Sequence, residues 1–413
     1  MDILLKPSRL RGIVDIPASK SCAHRALICA ALAEGQSAIS GLKYCSDDIY
    51  ATISAMSALG AEFLVGQHNS STQCVSGINN VPEKAVIDCN ESGSTLRFII
   101  PVAAALGVET EFHGRGRLPQ RPIDIYIREL TKHGIEFDYN NNMPFTISGK
   151  LTGGTYKIEG NVSSQFITGL LFALPLVDED SEIILTSHLE SRPYVDITID
   201  ILKRFGIVIK ETETGFRIKG GQKYVPHDER VEGDYSQAAF FFVANALGSH
   251  ISIGHLNPDS VQGDEKITEI ISDAESDGKI TGFRADCSDI PDLVPILSVL
   301  GAYGTEKSVI YNAGRLRIKE SDRLAACADM LNNLGGNVSV TPDGLEITPT
   351  GRLHGGTVNS FGDHRIVMAA SIAALRCDGD VIIKGAEAVR KSYPNFFDDY
   401  KNLGGKADVI NME

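Results

Sequence analysis

One pattern constrains the fold of this 413-residue chain more than any other. Six times, a small polar cluster runs directly into an Ala/Leu/Ile/Phe-rich stretch. These are PASKSCAHRALICAALA from Pro17, ESGSTLRFIIPVAAAL from Glu91, GNVSSQFITGLLFALPL from Gly160, EGDYSQAAFFFVANAL from Glu232, CSDIPDLVPILSVLGA from Cys287 and FGDHRIVMAASIAAL from Phe361. Their starts lie 74, 69, 72, 55 and 74 residues apart. A second stretch with apolar residues at helical spacing follows most of them: SDDIYATISAMSALGAEF, RPIDIYIRELTKHGIEF, YVDITIDILKRFGIVI, ESDRLAACADMLNNLGGNV and YPNFFDDYKNLGGKADV. Each of these ends at Gly beside an apolar residue, the chemistry of a helix C-terminus. Short alternating segments in the gaps, such as Tyr156–Glu159, Glu182–Thr186, Phe216–Lys219 and Leu345–Thr348, predict strands. The fourth copy departs, with a short period and a second helix running into SDAESDGKI.

Each copy therefore predicts strands plus two helices. Such a unit is too small to bury both helix faces alone, so several must pack together. Six copies in a chain of two-domain length predict three per lobe, with a polar, Pro-containing boundary at Val225–Asp234 between copies three and four. Hydrophobic residues at 43% and charged residues at 22% suit an ordinary globular protein and exclude disorder. No apolar run approaches the ~18 residues of a membrane span, and the N-terminal MDILLKPSRLRG is no signal peptide. A cytoplasmic protein is expected. Net charge is 39 − 53 = −14 without a basic block, which disfavours nucleic acid and anionic membranes as partners. The eight Cys lack C-x-x-C or zinc spacing and are expected to be reduced and mostly buried, with no metal.

Helix N-termini carry partial positive charge and free amides, so a cation in a first turn is mildly unfavourable. This chain places cations there repeatedly: Lys20 and Arg25 at the first core helix, Arg97 at the second, His364 and Arg365 at the sixth, and Arg323 in ESDRLAACADM. A single case is an ordinary surface residue. Several together point to an anion, because amides and guanidinium forks converging on phosphate or carboxylate reverse the penalty. Ser19, Ser21, Ser92, Gly93, Ser94, Ser163 and Ser164 supply hydroxyl donors and close backbone approach nearby. In Gly314–Leu324, Arg315, Arg317, Lys319 and Arg323 surround Glu320 and Asp322. Two readings stand there: a salt-bridged helix start with Ser321 as N-cap, or an acid held ionised among cations for proton transfer. Asp292 is either an N-cap or a functional acid entering an apolar helix. The loop His113–Asp124, with three Arg, is either an exposed turn or a segment that closes over ligand. No P-loop, dinucleotide fingerprint, G-x-S-x-G or H-E-x-x-H motif occurs, so ATP, NAD and zinc chemistry lack support.

Nine segments in order, SKSCAHRALICAALA, ESGSTLRF, LPQRPID, SSQFITGLL, SRPYVDIT, IPDLVP, RIKESDRL, GDHRIVMAA and RKSYPNFF, make the chain resemble the EPSP synthase (3-phosphoshikimate 1-carboxyvinyltransferase) family over essentially its full length. The resemblance implies a two-lobe inside-out α/β barrel, each lobe three βαβαββ repeats with buried helices. It places residues 1–14 and 232–413 in a C-terminal lobe and 15–231 in an N-terminal lobe, the active site in the cleft between them. It implies enolpyruvyl transfer from phosphoenolpyruvate to the 5-hydroxyl of shikimate 3-phosphate, a step of chorismate and aromatic amino acid biosynthesis, by a monomer without cofactor.

Carried over by motif, Lys20, Ser21, Arg25, Ser163, Ser164, Gln165, Ser191, Tyr194, Asp292 and Lys319 would meet shikimate 3-phosphate, with Arg192 nearby. Lys20, Gly93, Arg121, Gln165, Arg323, Arg365 and Lys391 would hold phosphoenolpyruvate. Asp292 would be the base for the hydroxyl and Glu320 the proton donor to the vinyl methylene. Three positions depart from common members: Arg315 for Asn, Glu91 for Asn and Ser94 for Thr. Gly93 nonetheless predicts sensitivity to glyphosate, since an Ala methyl there would crowd the phosphonate. The nearest rival, UDP-N-acetylglucosamine enolpyruvyl transferase, carries a reactive Cys where this chain has GRGRLPQRP. A non-catalytic anion-binding scaffold would not need Glu320 and Asp292 among the cations.

Overall fold

The computed structural model describes residues 1–65 and 71–411; residues 412 and 413, the end of the expected C-terminal lobe, lie outside them. Among the described residues, twelve α-helices fall into six successive pairs. The pairs are α1 (Lys20–Leu32) with α2 (Asp47–Ala58), α3 (Gly93–Leu106) with α4 (Asp124–Leu130), and α5 (Ser164–Ala173) with α6 (Arg192–Arg204). Then come α7 (Tyr235–Ala246) with α8 (Ile267–Ala274), α9 (Val294–Ala302) with α10 (Arg323–Asn333), and α11 (His364–Ala374) with α12 (Phe396–Asn402).

The first helix of each pair is a core helix. All nine residues of α9 and all eleven of α11 are buried, as expected for helices apolar on every side. The polar clusters before them are caps: Ser19, Ser92, Ser163, Asp234 and Asp363 each accept from a backbone amide of α1, α3, α5, α7 and α11. A strand ends a few residues before each core helix, so every cluster sits at a strand-to-helix turn. The second helices bury one face only; α8 buries just Ile267 and Ala274.

The chain divides into two compact units, Ala18–Glu232 and Met1–Pro17 with Gly233–Glu413. The Ala18–Glu232 unit has three four-stranded sheets of one design: a parallel pair followed by two antiparallel neighbours. In one, Lys84–Asp88 and Glu109–His113 run parallel through the α3 crossover, and Phe145–Gly149 and Ile135–Asp138 follow antiparallel. The other unit repeats the design twice. In one of those sheets the N-terminal strand Asp2–Lys6 lies between Val381–Lys384 and Lys406–Asn411, with Leu5 opposite Val381 and Ala407. Its third sheet is reduced: among the described residues Arg11–Asp15 pairs only with His250–Gly254, and the hairpin of Glu275–Ser276 and Lys279–Ile280 stands apart. This belongs to the irregular fourth copy, whose short period leaves too little chain for full strands. Each unit has its own apolar core, and six of the eight Cys are buried in them.

Candidate active site

In the Gly233–Glu413 unit, Arg323 is the hub. As the first residue of α10 it is 2% exposed, and each guanidinium nitrogen meets a different carboxylate. Nη1 is 2.7 Å from Asp292, Nη2 2.7 Å from Glu320, and Nε 2.8 Å from Asp363. The other Asp292 oxygen lies 2.8 Å from Arg365 Nη2. Arg365 also donates to Ser236 Oγ, and its backbone amide donates to Asp363, the cap of α11. Asp363 is fully buried, whereas Asp292 and Glu320 keep 19% and 16% of their side chains exposed. Arg323 is thus fixed from beneath while two carboxylates reach the surface. Burial alone would raise the Asp292 carboxyl, but Arg365, Arg323 and Lys319 outweigh it and hold it well below the carboxylate range. Asp363 is lowered in the same way, burial being outweighed by Arg323 and His364. Lys319 is lowered too, but there burial wins: it pulls the ammonium down to about 8 against the attraction of Asp292 and Glu320. Lys391 donates to the carbonyl of Gly362, beside the α11 cap.

The acids of Gly314–Leu324 fall into two different settings. Arg317 and Asp322 form an ordinary ion pair at a helix start, and Glu320 joins the buried cluster. The expected cap is corrected: Asp322, not Ser321, accepts the Ala325 amide. The Ser321 hydroxyl donates instead to Asp363, because Ser321 stands one residue too early for the α10 amides. Asp292 caps no helix either; it lies within the 3-10 turn Pro291–Leu293 that leads into α9.

In the Ala18–Glu232 unit, Lys20 opens α1, its Nζ 2.8 Å from Asp48 in the first turn of α2. Arg25 is 3% exposed and each of its nitrogens donates one hydrogen bond within the protein: Nε to Thr198 Oγ1, Nη1 to the carbonyl of Ser21 and Nη2 to that of Tyr194. Burial brings its guanidinium down to about 10, which leaves it charged at neutral pH. At the start of α3, a Cβ on Gly93 would lie 2.5 Å from Arg121 Nη1, 3.4 Å from Arg97 Nη1 and 3.5 Å from Gln165 Oε1. Gly93 is therefore ringed by two guanidinium groups and an amide. Gln165 accepts from Arg97 at 2.7 Å and donates to Ser94 at 3.0 Å. Ser163 caps α5 and Ser164 is its first residue. Ser191, just before α6, holds the left-handed conformation with φ of 56°. That is uncommon for a residue with a Cβ, and Tyr194 follows in the first turn. Arg192 belongs to a different environment, paired with Asp196 and Glu211 on a half-exposed face.

Two contributors, Asp363 and Asp48, were not singled out from the sequence, and a third, Arg97, was noted there only among the helix-start cations. Asp363 holds Arg323, Asp48 holds Lys20, and Arg97 holds Gln165. The available signal was the same in each: a charged side chain in the capping turn or first turns of a core or partner helix. Among the described residues, no group of three or more His, Cys, Asp or Glu is arranged to hold a metal ion.

The fold is that of solved EPSP synthase structures. One from Acinetobacter baumannii, 23% identical, superposes with a TM-score of 0.83 over 99% of this chain and 100% of that one. Residues 4–400 match the family model of EPSP synthase (3-phosphoshikimate 1-carboxyvinyltransferase). Proteins named 3-phosphoshikimate 1-carboxyvinyltransferase from Clostridium novyi and Clostridioides difficile are each 45% identical, the first covering 100% of this chain and 99% of its own, the second 98% of each. One of that name from Clostridium perfringens is 44% identical over 98% of both. The chain belongs to the EPSP synthase family.

Proposed function

We propose that this protein transfers the 1-carboxyvinyl group of phosphoenolpyruvate to the 5-hydroxyl of shikimate 3-phosphate, giving 5-enolpyruvylshikimate 3-phosphate and phosphate. The observation that carries the reading is the Arg323 cluster, which presents two surface-reaching carboxylates, Asp292 and Glu320, on a buried cation in a chain of this family. Each substrate brings a carboxylate and a phosphate, and burying such charges unpaired costs several kcal/mol per ion. Lys20, Gly93, Arg121, Gln165, Arg323, Arg365 and Lys391 are assigned to phosphoenolpyruvate. Lys20, Ser21, Arg25, Ser163, Ser164, Gln165, Ser191, Tyr194, Asp292 and Lys319 are assigned to shikimate 3-phosphate.

Glu320 delivers a proton to the vinyl methylene, leaving a cationic carbon stabilised by its oxygen. The 5-hydroxyl attacks that carbon while Asp292 takes its proton. Loss of phosphate from the tetrahedral intermediate and return of a methyl proton then restore the vinyl group. An anion on Arg323 and Arg365 would compete with Asp292 for the same N–H groups and raise its proton affinity, so substrate itself would arm the base. The reading extends to a cytoplasmic monomer that needs no cofactor, every assigned group coming from one chain. Among the described residues, no helix is long and apolar enough to cross a membrane.

The test is phosphate release from phosphoenolpyruvate with shikimate 3-phosphate or UDP-N-acetylglucosamine as acceptor. Release with shikimate 3-phosphate alone, abolished or greatly slowed in Asp292→Asn and Glu320→Gln, is expected. Release with UDP-N-acetylglucosamine alone would transfer the protein to the rival activity.

A further inference from the structure

His24 takes no part in the chemistry above, yet this polar side chain is 1% exposed. It lies on α1 one turn after Lys20 and immediately before Arg25. Its Nδ1 is 2.7 Å from Thr52 Oγ1 on α2, and that oxygen is 2.7 Å from Thr95 Oγ1 on α3. Thr95 Oγ1 donates to Ser92 Oγ at 2.8 Å and reaches the carbonyl of Asp48 at 3.4 Å. Ser92 Oγ also accepts the Thr95 amide, which caps α3 immediately before Gly93. Thr52, Thr95 and Ser92 are each 0% exposed. Phe98 of α3 packs edge-on to the imidazole with ring centroids 6.3 Å apart, and its face lies 5.2 Å from the Arg25 guanidinium carbon.

Buried hydroxyl and imidazole groups are costly unless they find partners, so four of them satisfying one another across three helices specify one arrangement of those helices. The ends joined are the ones assigned to substrate: Lys20 and Arg25 on α1, the Lys20 partner Asp48 on α2, and Gly93 on α3. We infer that His24, Thr52 and Thr95 form a positioning relay that holds the N-terminal turns of α1, α2 and α3 in register, and with them the cations and amides of the anion site. The inference rests on the functional reading for what the site binds. Burial, together with the charges of Lys20 and Arg25, keeps the imidazole well below its ordinary value, which suits a neutral partner for a hydroxyl. Only Nδ1 is engaged; Nε2 is buried with no hydrogen-bond partner among the described residues.

That asymmetry gives a sharp test. In His24→Asn the amide occupies the place of Nδ1, whereas in His24→Gln it lies one bond further out, near the place of Nε2. Thr52→Ser keeps the relay hydroxyl and Thr52→Val removes it at nearly constant volume. His24→Gln and Thr52→Val should each raise KM for phosphoenolpyruvate about tenfold, the equivalent of one net hydrogen bond. His24→Asn and Thr52→Ser should stay near wild type. The double variant His24→Gln/Thr52→Val should be no worse than either single, since both cut one relay. Additive losses, equal damage from Asn and Gln at position 24, or a wild-type KM in Thr52→Val would overturn the inference.

Binding of inorganic phosphate, followed by NMR at the Gly93 amide, supplies a readout without turnover. Weakening in Thr52→Val but not Thr52→Ser upholds the relay even if wild type proves unable to use shikimate 3-phosphate, in which case the functional reading alone fails. Unchanged phosphate binding in Thr52→Val sinks the relay whatever the turnover.

Discussion

Arg323 meets three carboxylates within 2.8 Å, and around it Asp292 and Lys319 both lose proton affinity, Asp292 to its neighbouring cations and Lys319 to burial. The Asp292 carboxyl is depressed by Arg365, Arg323 and Lys319 in spite of burial. A depressed acid stabilises the fold fully above its unfolded value of about 3.9 and loses that contribution as pH falls. Urea unfolding should therefore show Asp292→Asn less stable than wild type by about 1–3 kcal/mol near pH 7, the gap closing below pH about 4. A gap that stays constant to pH about 3 would mean that Asp292 is not held by charge. Lys319 is lowered to about 8 chiefly by burial, so its charge is present below that pH and lost above it. The kcat/KM profile should bend downward near pH 8 as the ammonium loses its proton, and Lys319→Arg should remove the bend. A bend unmoved by that change would assign it to another group. Little of this was readable from residue types alone. The density of cations in Gly314–Leu324 showed that a cluster exists, but which acid pairs with which cation depends on residues 292 and 363, brought in by other turns of the fold. The misplaced cap has the same origin, since Ser and Asp both cap well and only the helix start separates them.

At the scale of elements, the strand-to-helix turns carry the site, and glycine is needed there for space. The backbone at Gly93 is compatible with alanine, yet a Cβ would stand 2.5 Å from Arg121 Nη1. Gly93→Ala should raise KM for phosphoenolpyruvate severalfold, leave KM for shikimate 3-phosphate nearly unchanged, and weaken glyphosate inhibition. Equal losses for both substrates would instead indicate a shift of the whole α3 start. Helix ends use glycine for a different reason. Gly60 after α2 and Gly404 after α12 have φ of 106° and 92°, a region costly to residues with a Cβ. Only at Gly60 would that Cβ also collide, 2.4 Å from the Asn80 carbonyl oxygen; at Gly404 the nearest atom is 3.9 Å away. Gly404→Ala should cost about 1–2 kcal/mol in urea unfolding, and Gly60→Ala clearly more. Equal costs would mean the Asn80 loop yields freely. These ends were visible in the sequence because a glycine beside an apolar residue is a local signal. The relay of His24 was not, because its members are ordinary buried helix residues 28 and 43 positions apart.

For the molecule as a whole, the sixfold pattern was readable because a buried helix must be apolar on all sides and each copy carries one. Membership of Asp2–Lys6 in the sheet with Val381–Lys384 and Lys406–Asn411 follows from no local pattern, since its partners lie at the far end of the chain; family resemblance gave only the expectation that residues 1–14 belong with the C-terminal lobe. A net charge of −14 also says nothing of an anion site, which depends on local cations set against the overall field. The account's central claim is that these groups perform enolpyruvyl transfer with Glu320 protonating the methylene. Protonation makes a methyl group, and any of its three hydrogens can leave when the vinyl group is restored. The most direct measurement is the reaction of phosphoenolpyruvate with shikimate 3-phosphate in D2O, following deuterium in the product methylene by NMR in wild type and Glu320→Gln. Deuterium should enter the product as phosphate is released in wild type, and both should nearly vanish in the variant. Phosphate release at full rate with no deuterium uptake, or unchanged turnover in Glu320→Gln, would contradict the account.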